Sequence, residues 1–162
     1  MGTLLNSHVP TTALRLPALE AAAKSFGLTL TVRDVNSPVD IIRAIDAASQ
    51  QPNLGVVVFP SPVAGIHRET IIRIVAEHRI PTVYPYRYFA ESGGLIAYGT
   101  DIREQCRQAA GYVDRIMKGA HPSELPTQQP SKFELVINAK TAKALGLVVP
   151  PTLLARADEI IE

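Results

Sequence analysis

The feature that most constrains this chain is a repeated alternation of short, β-branched apolar runs with longer segments of helical period. In the longer segments apolar residues recur at three- and four-residue steps, which is the spacing of an amphipathic helix. Alternating strands and helices are typical of a parallel sheet built from βαβ units. The length of 162 residues suits one domain of ordinary size. We therefore predict an α/β fold with a doubly wound, Rossmann-like parallel sheet and helices on both faces.

The first hundred residues contain the signals of five strands. Gly55–Phe59 is apolar without alternation, which indicates a central strand buried on both faces. A first helix is predicted over about 14–26. Ser37 and Pro38 predict the N-cap and first turn of a second helix, and a third helix is predicted to end near Arg79. The predicted strands are residues 3–5, 28–32, 55–59, 80–84 and 95–98.

The remaining residues predict a long helix, an extended connector over 120–131, a strand over 133–137 and two terminal helices. Asp101 and Glu104 form a capping pair at the start of the long helix. The chain is accordingly divided into a ligand-binding lobe, 1–100, and a segment of helix, connector, strand and terminal helices, 101–162. Cys106 is predicted to be a buried small hydrophobe. The apolar stripe of the long helix consists of Ile102, Cys106, Ala109, Val113 and Ile116.

Composition excludes several classes of protein. The net charge is +1 and no stretch concentrates Lys or Arg, so we expect no nucleic-acid partner. One cysteine and four histidines without ligand spacing predict no metal site. The chain has neither a phosphate loop nor a dinucleotide-binding glycine turn, so no cofactor is expected. Residues 1–6 lack the features of an export signal.

Ligands of open parallel sheets bind at the carboxyl ends of the strands. Polar or aromatic residues follow each of the five predicted strands there, and no catalytic residue is assigned. Ser61 lies between two prolines, whereas a nucleophilic serine on a strained turn needs flanking glycines, which disfavours a hydrolase. The candidate ligand-binding residues are Asn6, Ser7, Ser61, Tyr86, Arg87 and Tyr98.

Each candidate has a purely structural alternative. Arg87 either binds a ligand carboxylate or pairs with a surface acid. Tyr86 either lines a cleft or, with Phe89, covers the end of the sheet. Asn6 either contacts a ligand or organises its own turn.

Four stretches resemble the carboxyl-terminal half of ABC-transporter substrate-binding proteins of the tryptophan/tyrosine type. The stretches are FAESGGLIAYGT at 89–100, AAGYVDRIMKG at 109–119, residues 129–138 together with 140–147, and PPTLLARADE at 150–159. The resemblance covers most of residues 80–162, and residues 1–79 fit more loosely. The family's turn after the first strand of this lobe usually reads Asn-Pro, whereas here Asn6 is followed by Ser7.

The resemblance implies one lobe of a type I periplasmic binding fold and a periplasmic or extracytoplasmic location. The function it implies is binding of a small organic solute, such as an amino acid or an aromatic or carboxylate compound, with an ABC permease as partner. It also implies a missing N-terminal lobe. Because the long helix would then lack cover for its apolar stripe, we expect a homodimer or a domain-swapped dimer.

Two other functions remain open at this stage. The same fold serves as the ligand-sensing domain of transcription regulators and sensor kinases. An α/β enzyme of flavodoxin-like architecture is the weakest alternative, because the chain has no phosphate loop.

Overall fold

The computed structural model describes residues 2–5 and 10–162. Its strands are Gly2–Leu5 (β1), Thr31–Asp34 (β2), Val56–Val58 (β3), Thr82–Tyr84 (β4), Ile96–Thr100 (β5), Phe133–Asn138 (β6) and Glu159–Ile161 (β7). Its α-helices are Pro10–Ser25 (α1), Pro38–Ser49 (α2), Pro62–Ile66 (α3), Arg68–Glu77 (α4), Arg87–Glu91 (α5), Ile102–Met117 (α6), Ala139–Ala144 (α7) and Pro151–Leu154 (α8).

The strands of the described residues form one seven-stranded sheet in the order β2-β1-β3-β4-β5-β6-β7. This confirms the predicted α/β class. The sheet is not wholly parallel, because β6 runs antiparallel to β5 while the other neighbours are parallel. Thr100 at the end of β5 pairs with Phe133 at the start of β6. The chain therefore re-enters the sheet beside the end of β5, so β6 runs in the opposite direction to β5.

One face of the sheet carries the main core. Val56 and Val58 of β3, and Tyr84 of β4, are buried there against α2, α4 and α5. The helices contribute residues at helical spacing that are almost fully buried. These are Ile41, Ile45, Ile71, Ile74, Val75 and Phe89.

The opposite face is less covered. Val57, Val83 and Ile96 alternate with the buried residues of their strands and are only half-buried. The chain passes from β1 outward to β2 and then back to β3, so right-handed connections place α1 and α2 on opposite faces.

Two of the predicted helix starts have the expected caps. Ser37 accepts a hydrogen bond from the backbone N–H of Asp40 at 3.2 Å, and Asp101 accepts one from the N–H of Glu104 at 3.1 Å. These bonds satisfy N–H groups that have no partner within the helix.

Several elements differ from the sequence predictions, among them the second strand, which is predicted over 28–32 and lies at Thr31–Asp34. The single third helix is in fact two helices, α3 and α4, because His67 has a φ of −100° and a ψ of 24°. The helix α5 was not predicted, and the last predicted helix is only the four residues of α8, followed by strand β7. These elements are three to five residues long, too short to show a period.

The long helix α6 buries none of its residues. Cys106 is exposed, so the prediction that it is buried is wrong for this chain. The stripe residues Ile102, Val113 and Ile116 are exposed as well. Among the described residues, no helix is both long and apolar enough to cross a membrane.

Candidate functional site

The carboxyl ends of β1 to β5 lie at one edge of the sheet, because these strands are parallel. The connections from β1 and β3 leave in opposite directions along the sheet. The chain goes from β1 to β2 on one side, and from β3 to β4 on the other side. Such a point of reversal opens a crevice at the carboxyl edge, which is where ligands bind in folds of this kind. We call the edge of the sheet at which β1 to β5 end the carboxyl edge.

Asn6 and Ser7 lie outside the residues that the structure describes. They directly follow Leu5, the last residue of β1, which pairs with Asp34 of β2. Their proposed contacts with a ligand remain a prediction.

Ser61 begins α3 at the carboxyl end of β3. Its Oγ accepts a hydrogen bond from the N–H of Ala64 at 3.0 Å, and its backbone is extended, with a φ of −155°. The hydroxyl proton is not used in this bond and remains a donor. Ser61 thus has no strained backbone of the kind found at a nucleophilic turn, and its part in ligand binding remains a prediction.

Tyr86 is the outer member of a stack of four aromatic rings. The ring centroids of Tyr84 and Phe89 are 5.0 Å apart, those of Phe89 and Tyr88 4.9 Å, and those of Tyr88 and Tyr86 5.5 Å. Burial raises the pKa of Tyr84 and, to a smaller degree, that of Tyr88. Phe89 is fully buried in the main core, whereas Tyr86 is only half-buried beside the carboxyl edge.

Arg87 is surrounded by carboxylates of its own chain. Its Nε donates to Glu91 at 2.7 Å, its Nη1 lies 3.5 Å from Glu134 of β6, and its Nη2 donates to Glu159 of β7. Hydrogen bonds to Glu91 and Glu159 raise the pKa of the guanidinium. This geometry is that of the alternative in which Arg87 pairs with acids, and it joins α5 to the last two strands.

Tyr98 lies on the other side of the sheet from Tyr86. Its neighbour Ala97 packs with Ala90 of α5, so Tyr98, one residue on, points to the opposite face. Its ring stacks on Phe133 with centroids 6.1 Å apart, and the two side chains are 58% and 51% exposed. The structure therefore does not bring Tyr98 and Tyr86 onto one surface of the sheet.

Sequence reasoning missed the residues that hold the segment around Tyr86 in place. Gly99 lies directly under Pro85, and a Cβ at Gly99 would be 1.9 Å from the Pro85 carbonyl oxygen. A glycine within a strand is a known sign of close backbone approach. Glu159 gave no such signal, because it is 72 residues from Arg87 along the chain.

No group of three His, Cys, Asp or Glu side chains that could hold a metal ion occurs in the part of the chain that the structure describes. At the carboxyl edge the described residues place the hydroxyl of Ser61 and the half-buried ring of Tyr86, groups that are typical of sites for organic solutes.

Residues 1–161 match the family described as ABC transporter substrate binding protein, and the chain belongs to that family. The family is a class of binding proteins rather than of enzymes. Its match covers nearly the whole chain, including the less specific first 79 residues.

Solved structures share the fold. A conserved domain protein from Vibrio cholerae O1 biovar El Tor superposes with a TM-score of 0.87 at 24% identity, over 98% of this chain and 53% of its own. An ABC domain in complex with L-Trp from Streptococcus pneumonia has a TM-score of 0.87 at 22% identity, over 99% of this chain and 55% of its own. The present chain thus spans about half the length of either.

One further match is more remote. The bifunctional protein FolD of Thermosipho melanesiensis is 28% identical over 110 residues, which are 67% of this chain and 38% of FolD. This similarity is too low and too partial to assign an enzymatic activity.

Proposed function

We propose that this chain is the solute-binding component of an ABC-type uptake system, acts outside the cytoplasm beside a membrane permease, and is not an enzyme. Its solute is a small organic compound, such as an amino acid or an aromatic carboxylate. The observation that carries the proposal is the family match over residues 1–161 together with the point of reversal between β1 and β3.

The proposed contacts are at the carboxyl edge. Asn6, Ser7 and the hydroxyl of Ser61 supply hydrogen bonds, and the half-buried ring of Tyr86 packs against the apolar part of the solute. Tyr98 lies on the opposite face of the sheet, so any contact of its ring with the solute would be separate from that of Tyr86. Arg87 supports this region through its carboxylate partners.

The test is an NMR titration of the ¹⁵N-labelled chain with L-tryptophan, chosen because a structural relative binds it. We expect shifts of backbone amides confined to residues 6–9, 59–62 and 84–87 at up to millimolar concentration, and weaker shifts in Tyr86→Ala. Phe26→Ala is the matched control, because Phe26 is exposed after the end of α1. A titration with other amino acids and aromatic carboxylates completes the panel; no shift of these amides with any of them overturns the proposal.

We also propose that the chain self-associates through the apolar stripe of α6. Burying these side chains is worth about 1 to 2 kcal/mol each, and none of them is buried within one copy. The proposed contact is a dimer in which a second copy covers the stripe.

Sedimentation velocity and native mass spectrometry test the dimer. Val113→Lys places a charge in the stripe and should give a monomer, whereas Gly111→Lys, on the opposite side of α6 with open space around it, should leave the dimer unchanged. A wild-type monomer at micromolar concentration contradicts this proposal.

A further inference from the structure

The side chain of Arg33 contains a buried polar atom that lacks a partner. Its Nε is buried and makes no hydrogen bond, and no carboxylate within residues 2–5 and 10–162 forms an ion pair with it. Buried polar groups are almost always hydrogen-bonded in native proteins, so an exception calls for an explanation. Arg33 as a whole is only half-buried, so its terminal N–H groups remain accessible to a ligand or to solvent.

The acidic residues nearest in sequence are directed elsewhere. Asp34 is the next residue of β2, so its side chain points to the opposite face of the sheet. Asp40 accepts hydrogen bonds from the hydroxyl of Ser37 at 2.8 Å and from the N–H of Asn36 at 3.3 Å. Neither carboxylate neutralises Arg33.

Arg33 lies next to the point of reversal. It pairs with Leu4 of β1, and Leu4 in turn pairs with Val58 of β3. Two strand spacings place Arg33 roughly 10 Å from Val58, close to the ends of β1 and β3.

Arg33 and Arg87 therefore differ in whether carboxylates of the chain neutralise their charge. Three carboxylates of the chain surround Arg87, whereas none contacts Arg33. A guanidinium presents a planar fork of donors that matches a carboxylate. We propose that Arg33, rather than Arg87, receives the carboxylate of the bound solute, which makes the preferred solutes carboxylic acids. This inference rests on the proposed binding function and names its substrate class.

Acetate tests the carboxylate site without assuming the identity of the solute. In NMR titrations with sodium acetate against sodium chloride at equal ionic strength, amides of residues 31–36 should shift in the wild type but not in Arg33→Met. Arg43→Met, which removes an exposed arginine from α2, should respond like the wild type. Absence of an acetate-specific shift at 31–36 overturns the inference, whatever L-tryptophan does.

A second measurement separates a ligand-binding role from a structural one. Because Arg33→Met removes a buried donor without a partner, the melting temperature of the ligand-free variant should be equal to or above that of the wild type. A clear fall in melting temperature means that Arg33 supports the fold, and contradicts the inference.

The comparison of L-tryptophan with tryptamine, which lacks the carboxylate, addresses specificity. L-Tryptophan should bind the wild type at least about tenfold more tightly, equal to 1.4 kcal/mol, and Arg33→Met should bind the two equally. Equal affinity of the wild type for both compounds overturns the inference. If the ligand-free shifts at 31–36 depend on protein concentration and acetate has no effect, the carboxylate comes from a second copy instead, which also overturns it.

Discussion

The guanidinium of Arg87 donates a hydrogen bond to the carboxylate of Glu159, and this contact joins the first turn of α5 to the last strand of the sheet. The same guanidinium contacts Glu91 within α5 and Glu134 on β6. The side chain of Asn138 adds a second connection by donating to the carbonyl of Ala90 at 3.0 Å, and Thr141 adds a third by donating to that of Gly93 at 2.9 Å. The carboxyl-terminal segment thus holds the loop on which Tyr86 lies.

Arg87→Gln should lower the free energy of unfolding by about 1–2 kcal/mol, because charge-assisted hydrogen bonds are lost and three carboxylates remain close together. Urea denaturation measures the change. The control is Arg103→Gln, whose side chain is 75% exposed and 3.8 Å from Glu91; its effect should be below about 0.5 kcal/mol. Equal effects of the two variants contradict the role assigned to Arg87.

Gly99→Ala should destabilise the protein by about 2–3 kcal/mol, because the new methyl group overlaps the backbone of Pro85 and the loop must move. Gly111→Ala is the matched control. Gly111 lies inside α6 with no atom near its added Cβ, so alanine there should stabilise by about 0.5–1 kcal/mol. Chemical denaturation of both variants tests the prediction, and tolerance of Gly99→Ala would refute it.

Phe89→Ala should be among the most destabilising single changes, at about 3–5 kcal/mol, because Phe89 is fully buried and stacks on Tyr84 and Tyr88. Phe89→Leu restores most of the volume but not the ring contacts, so its cost should be smaller. Thermal unfolding followed by near-ultraviolet circular dichroism compares the two. A similar loss in both variants would show that ring stacking, rather than volume, dominates.

The stability of the first turn of α6 should depend on pH. Lys132 and the N–H of Glu104 lower the pKa of Asp101 below its usual 3.8, so the carboxylate stabilises the folded state above pH 3.8 and loses this effect as the pH falls through its lowered pKa. Asp101 in turn raises the pKa of Lys132 above 10.5. That contribution is complete below pH 10.5 and is lost as the pH rises through the raised pKa.

Hydrogen exchange of the amides of residues 102–105 measures this dependence. Asp101→Asn keeps an oxygen that caps the helix but removes the charge, so the variant should lose the acid-dependent change while retaining part of the protection. The same acid-dependent loss of protection in Asp101→Asn would mean that another group is responsible.

Much of the fold could be predicted because its signals are local. Apolar runs such as 55–59, and capping residues such as Ser37 and Asp101, act within a few residues, and the structure has the corresponding strand and caps. The short elements α5 and β7 contain no period, and their positions depend on contacts with distant strands. The antiparallel entry of β6 likewise depends on where the chain returns after its connector.

For the candidate site, too, local sequence features were predictable and contacts between distant residues were not. The sequence by itself determined which residues lie in or just after each strand. Ser61 follows β3, Tyr86 follows β4, and Tyr98 lies within β5. Only the tertiary structure decided what each side chain meets. Sheet pairing turned Tyr98 to the opposite face, brought Glu134 and Glu159 to Arg87, and left Arg33 without a carboxylate. Charge neutralisation acts over a few ångströms in space, whereas these partners are separated by tens of residues along the chain.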